Sequence, residues 1–402
     1  RIKRAGFFQP FFLFYLLIMN LKNPKTLIPQ IITVTSLVCI IVYFAFNAQV
    51  NMGNRGISFG YGFLGQEASF DIGFSLIDYD GSMSYARAFL VGLLNTLLVS
   101  AIGIFFATII GVTVGIGRLS SNYLIAKAAE FYVEIFRNIP LLLQLFFWYY
   151  AALRALPLPE NAINIFNVSY LTVKGWYVPK FLWTNFSVFL MSILISIVAI
   201  IFVVKYAKKK REEVGKHVPT FYISLAILIL FPLITFLIGG VSLDFQIPVL
   251  SQMSTTVFNF KGGVSIIPEL ISLALALSMY TATFIAENVR AGILGVTKGQ
   301  KEAAASIGLT KSQILKLVVM PQALRIIIPP TTNQYLNLTK NSSLAAAIAY
   351  PDIVLVFAGT ALMQTGRAVE IISITMGTYL LISLSISMFM NWYNKSVAIK
   401  EK

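Results

Sequence analysis

The feature that most constrains this chain is a succession of long apolar stretches. A helix needs about 20 mostly apolar residues to cross the hydrocarbon core of a bilayer. Eight stretches meet or approach that length: Ile31–Ala48, Ala88–Ile116, Tyr132–Leu153, Ser187–Val204, Phe221–Gly240, Ile266–Asn288, Ser342–Thr360 and Ile371–Trp392. They predict an all-α polytopic membrane protein of about eight transmembrane helices. The second stretch exceeds one bilayer thickness, so it is expected to tilt or to leave the hydrocarbon at one end. Pro10–Met19 is too short to cross. With Arg1, Lys3, Arg4, Lys22 and Lys25 around it, it reads as an interfacial helix within an N-terminal tail over 1–30.

Composition closes off the other classes. The chain is 57% apolar and 12% charged, whereas soluble domains are about a quarter charged and disordered chains are poor in apolar residues. Cys39 is the sole cysteine and His217 the sole histidine, so neither a disulfide scaffold nor a conventional metal site is expected. A net charge of +15 would suggest nucleic acid in a soluble protein. In a membrane protein, Lys and Arg collect in cytoplasmic loops instead, and no nucleic-acid partner is expected.

Those charges also orient the spans. With both termini placed in the cytoplasm, the inner segments carry 24 of the 31 Lys and Arg, and the outer loops carry 7. The asymmetry predicts cytoplasmic termini. A signal peptide is not expected, because the first span lies too far in and no A-x-A-like site follows it. The first outer loop, within 49–87, is rich in glycine and aromatic residues and reads as ordered. The second holds Trp176, Tyr177 and Trp183, rings suited to an interface belt. Lys208–Arg211 reads as a topogenic anchor, and Gly111-x-x-x-Gly115 as a helix-packing face.

One inner segment, Val289–Asn341, has a pattern of its own. Lys301–Ile307 is expected as a short helix. Gly308 suits the left-handed position that ends it, with Leu309 folding back. Thr310 and Gln313 form a capping box for a second helix that shows Ile314, Leu317 and Val318 on one face. Pro321 and Pro329–Pro330 are expected to break the chain before it re-enters the membrane. The result is a helix–glycine–helix elbow, and its patch of Ala303, Ala304, Ala305 and Gly308 lets another surface approach closely. On pattern alone, a docking role and an ordinary amphipathic loop stand side by side.

Resemblance narrows this. Glu302-Ala303-Ala304, Gly308 and Ile326–Pro329 resemble the EAA loop of ABC importer permeases. Val133–Tyr149, Phe284–Ile293 and Asn333–Ala345 are similar to segments of polar amino-acid importers. The match spans about Ala88 to Tyr393, and the extra length resembles the permease subunits of the general L-amino-acid ABC importers of Gram-negative bacteria. The resemblance implies a permease core over 88–393 with the coupling loop at 298–329. The first span (31–48) is added in front, a two-span segment (about 156–264) is inserted, and a cytoplasmic tail follows at 394–402. An even-numbered insertion keeps the downstream orientation, in agreement with the charges. The resemblance further implies a bacterial inner membrane, partner ABC ATPase subunits holding ATP and Mg, a second, paralogous permease subunit and a periplasmic amino-acid-binding protein. No cofactor is expected in this chain, which has no G-x-x-x-x-G-K-[ST] phosphate loop.

Candidate sites follow, each with an ordinary structural role beside it. The resemblance makes Glu302, Ala303, Ala304 and Gly308 the ATPase-coupling residues; otherwise Glu302 is a first-turn acid favoured by the helix dipole. Lys340, Asn341, Ser342 and Ser343 are expected to open the seventh span. They would cap its N-terminus, and such a terminus also attracts a carboxylate such as that of an amino acid. Asp352 follows Pro351 and is a candidate to receive an α-amino group. Glu287 is expected to pair with Arg290 near the membrane surface.

The reading is a transport subunit, not an enzyme: half of the translocation pathway of an ATP-driven amino-acid importer. An ion-coupled secondary amino-acid transporter is the alternative, disfavoured by the elbow and by the lack of a paired intramembrane carboxylate relay. An integral-membrane enzyme is third, with no histidine cluster or acid pair to support it.

Overall fold

The computed structural model describes residues 24–54, 60–214, 219–238, 241–252 and 258–397. The expected interfacial helix at Pro10–Met19 lies outside them. The helices are α1 (Pro24–Asn54), α2 (Tyr85–Gly117), α3 (Tyr123–Asn138) and α4 (Leu141–Leu153), then α5 (Phe186–Val214) and α6 (Thr220–Ile238). After them come α7 (Pro268–Leu294), α8 (Lys298–Ser306), α9 (Lys311–Ile348), α10 (Val354–Thr365) and α11 (Ala368–Val397). Among the described residues, six helices are long and apolar enough to cross a membrane: α2, α5, α6, α7, α9 and α11. The first and third expected spans correspond to shorter apolar helices, Ile28–Phe44 and Leu141–Leu153.

The seventh expected span needs correction. The chain is already helical and packed on α7 well before Ser342. Tyr335 bonds Thr108 of α2, and Leu338 is fully buried against Gly103. Pro329 and Pro330 lie inside the helix and do not break it. Proline costs a helix one bond and crowds the preceding turn, but the flanking helices hold these turns in place. The α-helix runs to Asn341, tightens to a 3-10 segment over Ser342–Ile348 and stops at left-handed Ala349 (φ 60°). After an unwound stretch through Pro351 and Asp352, α10 continues in the same direction, so that Phe357 meets Phe63 and Phe89. One crossing is therefore built from two helices with a break between them.

The core is α2 and α7 side by side. Ser84 caps α2 by accepting from Arg87 N. The Gly111/Gly115 face meets α7 so closely that a Cβ at Gly111 would lie 2.6 Å from Ile285 Cβ, and one at Gly115 2.7 Å from the Ala286 carbonyl. Small residues permit this approach, and dispersion over the contact holds it where hydrophobicity supplies no drive between helices. Leu145, Leu273, Leu277, Leu338 and Tyr350 fill the centre. A second cluster at the Tyr85 end joins Phe63, Tyr85, Ile353, Phe357 and Ile371.

The inserted segment is built differently. α5 and α6 pack on each other, and only 11% and 6% of their most apolar windows are buried. Beyond them the chain forms short antiparallel strands, which the all-helical expectation did not contain. β1 (Ile163–Ile165), β2 (Ser169–Thr172), β3 (Gly175–Val178) and β8 (Val264–Ile266) make one sheet in the order β1-β2-β3-β8. β4 (Lys180–Thr184) pairs β5 (Ser242–Gln246), and β6 (Val249–Gln252) pairs β7 (Phe258–Lys261). Tyr177, expected in an interface belt, is buried in β3 against Phe260. Trp183 does stack on Phe189 at the start of α5.

Candidate functional site

The elbow joins α7 to α9. α8 ends where Gly308 takes φ +83°, with Gly308 N donating to Ala305 O (3.0 Å) and Leu309 N to Ala304 O (3.3 Å). These are the wrap-around bonds of a left-handed helix stop. Thr310 N donates to Gln313 Oε1 (2.8 Å) and Gln313 N to Thr310 Oγ1 (3.4 Å), so the capping box starts α9. Gln322 Nε2 reaches Gln300 Oε1 (2.6 Å) and ties the two arms together.

Within this frame Ala304 is buried, while Glu302, Ala303 and Gly308 are exposed on the outer side of the bend. Among the described residues no salt bridge engages Glu302. A shallow cleft of about 670 Å³ runs along the elbow, lined by Gly299, Ala303, Ala304, Ile307 and Val318. Ile307 is 77% exposed. The cleft has small residues on its floor, the apolar side chains of Ile307, Leu309 and Val318 along it and the Glu302 carboxylate on the same short helix. That arrangement suits a protein surface better than a small molecule, because it is open and only Thr297 and Gln300 of its lining are polar.

The expected face of the second arm shifts. Ile314–Val319 winds as a π-helix, so Ile314, Val318 and Val319 point inward and Leu317 is 59% exposed. A wider turn moves each side chain round relative to 3.6-residue spacing.

The second group of candidates also sits differently from expectation. Lys340–Ser343 does not open a helix; it ends the α-helical part of α9. Ser342 Oγ donates to Thr339 O (2.7 Å) and Ser343 Oγ to Lys340 O (2.8 Å), so neither hydroxyl caps an N-terminus. Here the helix presents carbonyls, and its dipole no longer favours a carboxylate. Lys340 is exposed at this end of the helix. Asp352 is fully buried, and its Oδ1 accepts from Leu355 N (2.8 Å), capping α10. Ser342 and Asp352 do come together: both lie beside the Tyr379 hydroxyl, with Thr96, and without a hydrogen bond of good geometry to it.

At the elbow end, Glu287 holds Arg290 (Nη2–Oε1 2.6 Å) as expected and also Arg118 from the end of α2. Sequence reasoning missed Arg118, since nothing local marks a partner 169 residues away. It also missed Asn95 and Thr96, two fully buried polar residues in α2. Their signal was present: an amide and a hydroxyl adjacent within an apolar run.

Residues 213–399 match the family described as binding-protein-dependent transport system inner membrane component. The chain is 48% identical to the putative amino-acid ABC transporter permease protein YhdX of Escherichia coli K12, over 96% of this chain and 97% of that protein. It is 47% identical to the general L-amino acid transport system permease protein AapQ of Rhizobium johnstonii, over 94% and 93%. With the glutamate/glutamine/aspartate/asparagine transport system permease protein BztB of Rhodobacter capsulatus it shares 37% identity over 93% of each. A membrane-crossing core, a helix–glycine–helix elbow and likeness at this level over nearly the whole chain lead to one conclusion: the chain belongs to the permease subunits of amino-acid ABC transporters.

Proposed function

We propose that this permease carries amino acids across a bacterial inner membrane as half of a two-permease channel, receiving them from a periplasmic binding protein. Transport is driven by ATP and Mg held in separate ATPase subunits. The observation that carries the reading is the elbow: a rigid bend with exposed Glu302, Ala303 and Gly308 at the end of the bundle where Arg118, Glu287 and Arg290 cluster. Glu302 meets a basic residue of the ATPase, and the small residues let its surface close on the cleft. Lys340, Asn341, Ser342 and Ser343, at the end of a helix interrupted within the bundle, line the pathway with Lys340 toward the substrate carboxylate. Asp352 joins them when the break opens. The likeness to AapQ over nearly all of both chains supports a broad L-amino-acid range.

Both termini lie in the cytoplasm. The excess of Lys and Arg on the elbow side supports this, and it survives the transfer of Arg325 and Lys340 from loop to helix. Cysteine labelling should find Lys208–Arg211 inside and Trp176 outside; the reverse for either refutes the topology. Function is tested by uptake of a radiolabelled L-amino-acid mixture in cells expressing this permease with its ATPase, second permease and binding protein. Uptake should survive a proton ionophore and stop on ATP depletion. Collapse with the ionophore while ATP is maintained would instead establish the ion-coupled alternative.

A further inference from the structure

The end of the bundle opposite the elbow is crossed by a strap, Gly60–Ser84, that runs into α2. Its beginning is pinned to the start of α11: Gly60 N donates to the fully buried Glu370 (2.8 Å), and Arg367 Nη1 donates to Gly60 O (2.8 Å). Phe63 is buried against Phe357 and Tyr85. The strap holds its own shape. Tyr79 donates to Phe70 O (2.9 Å), and the Ser82 hydroxyl and N–H donate to Asp80, keeping that carboxyl below the usual range. Between the strap, α7 and the break after α9 lies a cavity of about 260 Å³, lined by Phe70, Gly73, Ile267, Ala349, Pro351 and Thr360.

Asn95 connects two of those walls. It is fully buried, and its amide donates one hydrogen to Phe74 O in the strap and the other to Pro351 O in the unwound stretch, each at 2.9 Å. Both acceptors are carbonyls, so only the NH₂ group can face them. The same stretch is bound to α2 twice more: Ile353 N donates to Thr96 Oγ1 (3.0 Å) and Tyr350 OH to Asn95 O (2.9 Å). The Phe74 and Tyr350 rings also meet, 6.2 Å between centroids. An interrupted membrane helix leaves carbonyls without intrahelical partners; here one side chain satisfies such a carbonyl and holds the strap with the same amide. Lifting either segment alone leaves a buried donor unpaired, which is costlier than never forming the bond.

We propose that Asn95 is a positioning residue that couples the strap to the helix break, so that Phe70–Phe74 and Ala349–Asp352 move together to open and close the far-end cavity onto the pathway. This rests on the transport reading above. A cysteine-free background is made with Cys39→Ala. Thr360→Cys then reports the cavity, and Met363→Cys, at an 88% exposed position, reports general accessibility. Vesicles opened to both faces are treated with a membrane-impermeant maleimide. Asn95→Leu and Asn95→Ala, neither of which can donate, should raise the Thr360/Met363 labelling ratio about fivefold or more, since one lost buried hydrogen bond already produces about that shift and Asn95 makes two. A purely structural role lowers protein yield and leaves the ratio unchanged; an unchanged ratio in both variants overturns the proposal.

A second arm leaves Asn95 intact and decides the matter if those variants do not accumulate. Gly73→Cys and Ile267→Cys, on opposite walls, are tethered by a short bismaleimide in the assembled, reconstituted importer. Uptake of a radiolabelled L-amino-acid mixture should fall to background on tethering and persist in the untreated pair. Full uptake through a completely tethered protein overturns the proposal. Absence of uptake in the parent importer overturns the transport reading instead, and the labelling ratio still tests the coupling.

Discussion

α7 and α6 are both long, apolar helices, and they do opposite things. The apolar window of α6 is the more hydrophobic (mean hydropathy 2.6 against 1.6), yet 6% of it is buried in the protein against 61% for α7. In a bilayer the lipid tails are as apolar as leucine, so greasiness does not draw helices together. What α7 has is small and hydroxylated side chains at its contacts: Ser272, Ala276, Ser278, Ala282, Ala286 and Gly292 are all buried. Of the 19 residues of α6, 13 are Leu, Ile or Phe, and Pro232 is its one buried residue. Apolar content tells where a segment resides; small residues tell what it packs against.

The sharpest way to break that contrast is to fill the α2–α7 contact. Gly115→Leu would set its Cβ 2.7 Å from a backbone oxygen that cannot move aside. It should cost about 3 kcal/mol or more, at the upper end of overpacking, and leave little folded protein on thermal unfolding in detergent. A matched pair comes next. Ile285→Ala, at 1% exposure, should destabilise by about 2–4 kcal/mol. Ile195→Ala in α5, at 51% exposure, should stay within about 0.5 kcal/mol. Equal losses would mean that the inserted hairpin is packed like the core.

The elbow variants act on function more than on stability. A side chain at Gly308 meets nothing within 4 Å, so Gly308→Val is opposed only by its left-handed backbone, about 1–2 kcal/mol. Glu302→Lys reverses an exposed charge and should barely alter folding. Both variants should remain in the membrane at near-normal amounts, yet lose ATPase co-purification and uptake together. Normal uptake in both would reduce the elbow to a loop. The smallest effect belongs to Phe202→Ala, 68% exposed on α5, which should leave both stability and uptake within error.

The helices and the elbow were legible because their signals are local. Hydropathy marks a span within one window, and Gly308 with Thr310 and Gln313 writes a stop and a start within six residues. The break after α9 was not legible. Pro329–Pro330 pointed to the wrong place, since neighbouring helices stabilise a helix through two prolines. The real interruption, at Ala349, carries no glycine to announce it. The strands were hidden inside loops whose aromatic residues also suit a membrane interface. Asp352 looked like an open carboxylate, but only the fold reveals that it caps α10 in a closed interior.

α7 leaves its sheet without slack. Ile266 is paired with Trp176 in the β3–β8 ladder, Ile267 intervenes, and Pro268 is already helical. No proline or π-turn interrupts the next 26 residues, so α7 is an unbroken helix about 40 Å long. Its other end passes through Gly295–Thr297 into the elbow. Mechanically the sheet and the elbow are the two ends of one lever whose fulcrum is the close contact with α2 at Gly111 and Gly115. A pull on the elbow arm would reach the four-stranded sheet along this one helix, through the short links Gly295–Thr297 at one end and Ile267 at the other.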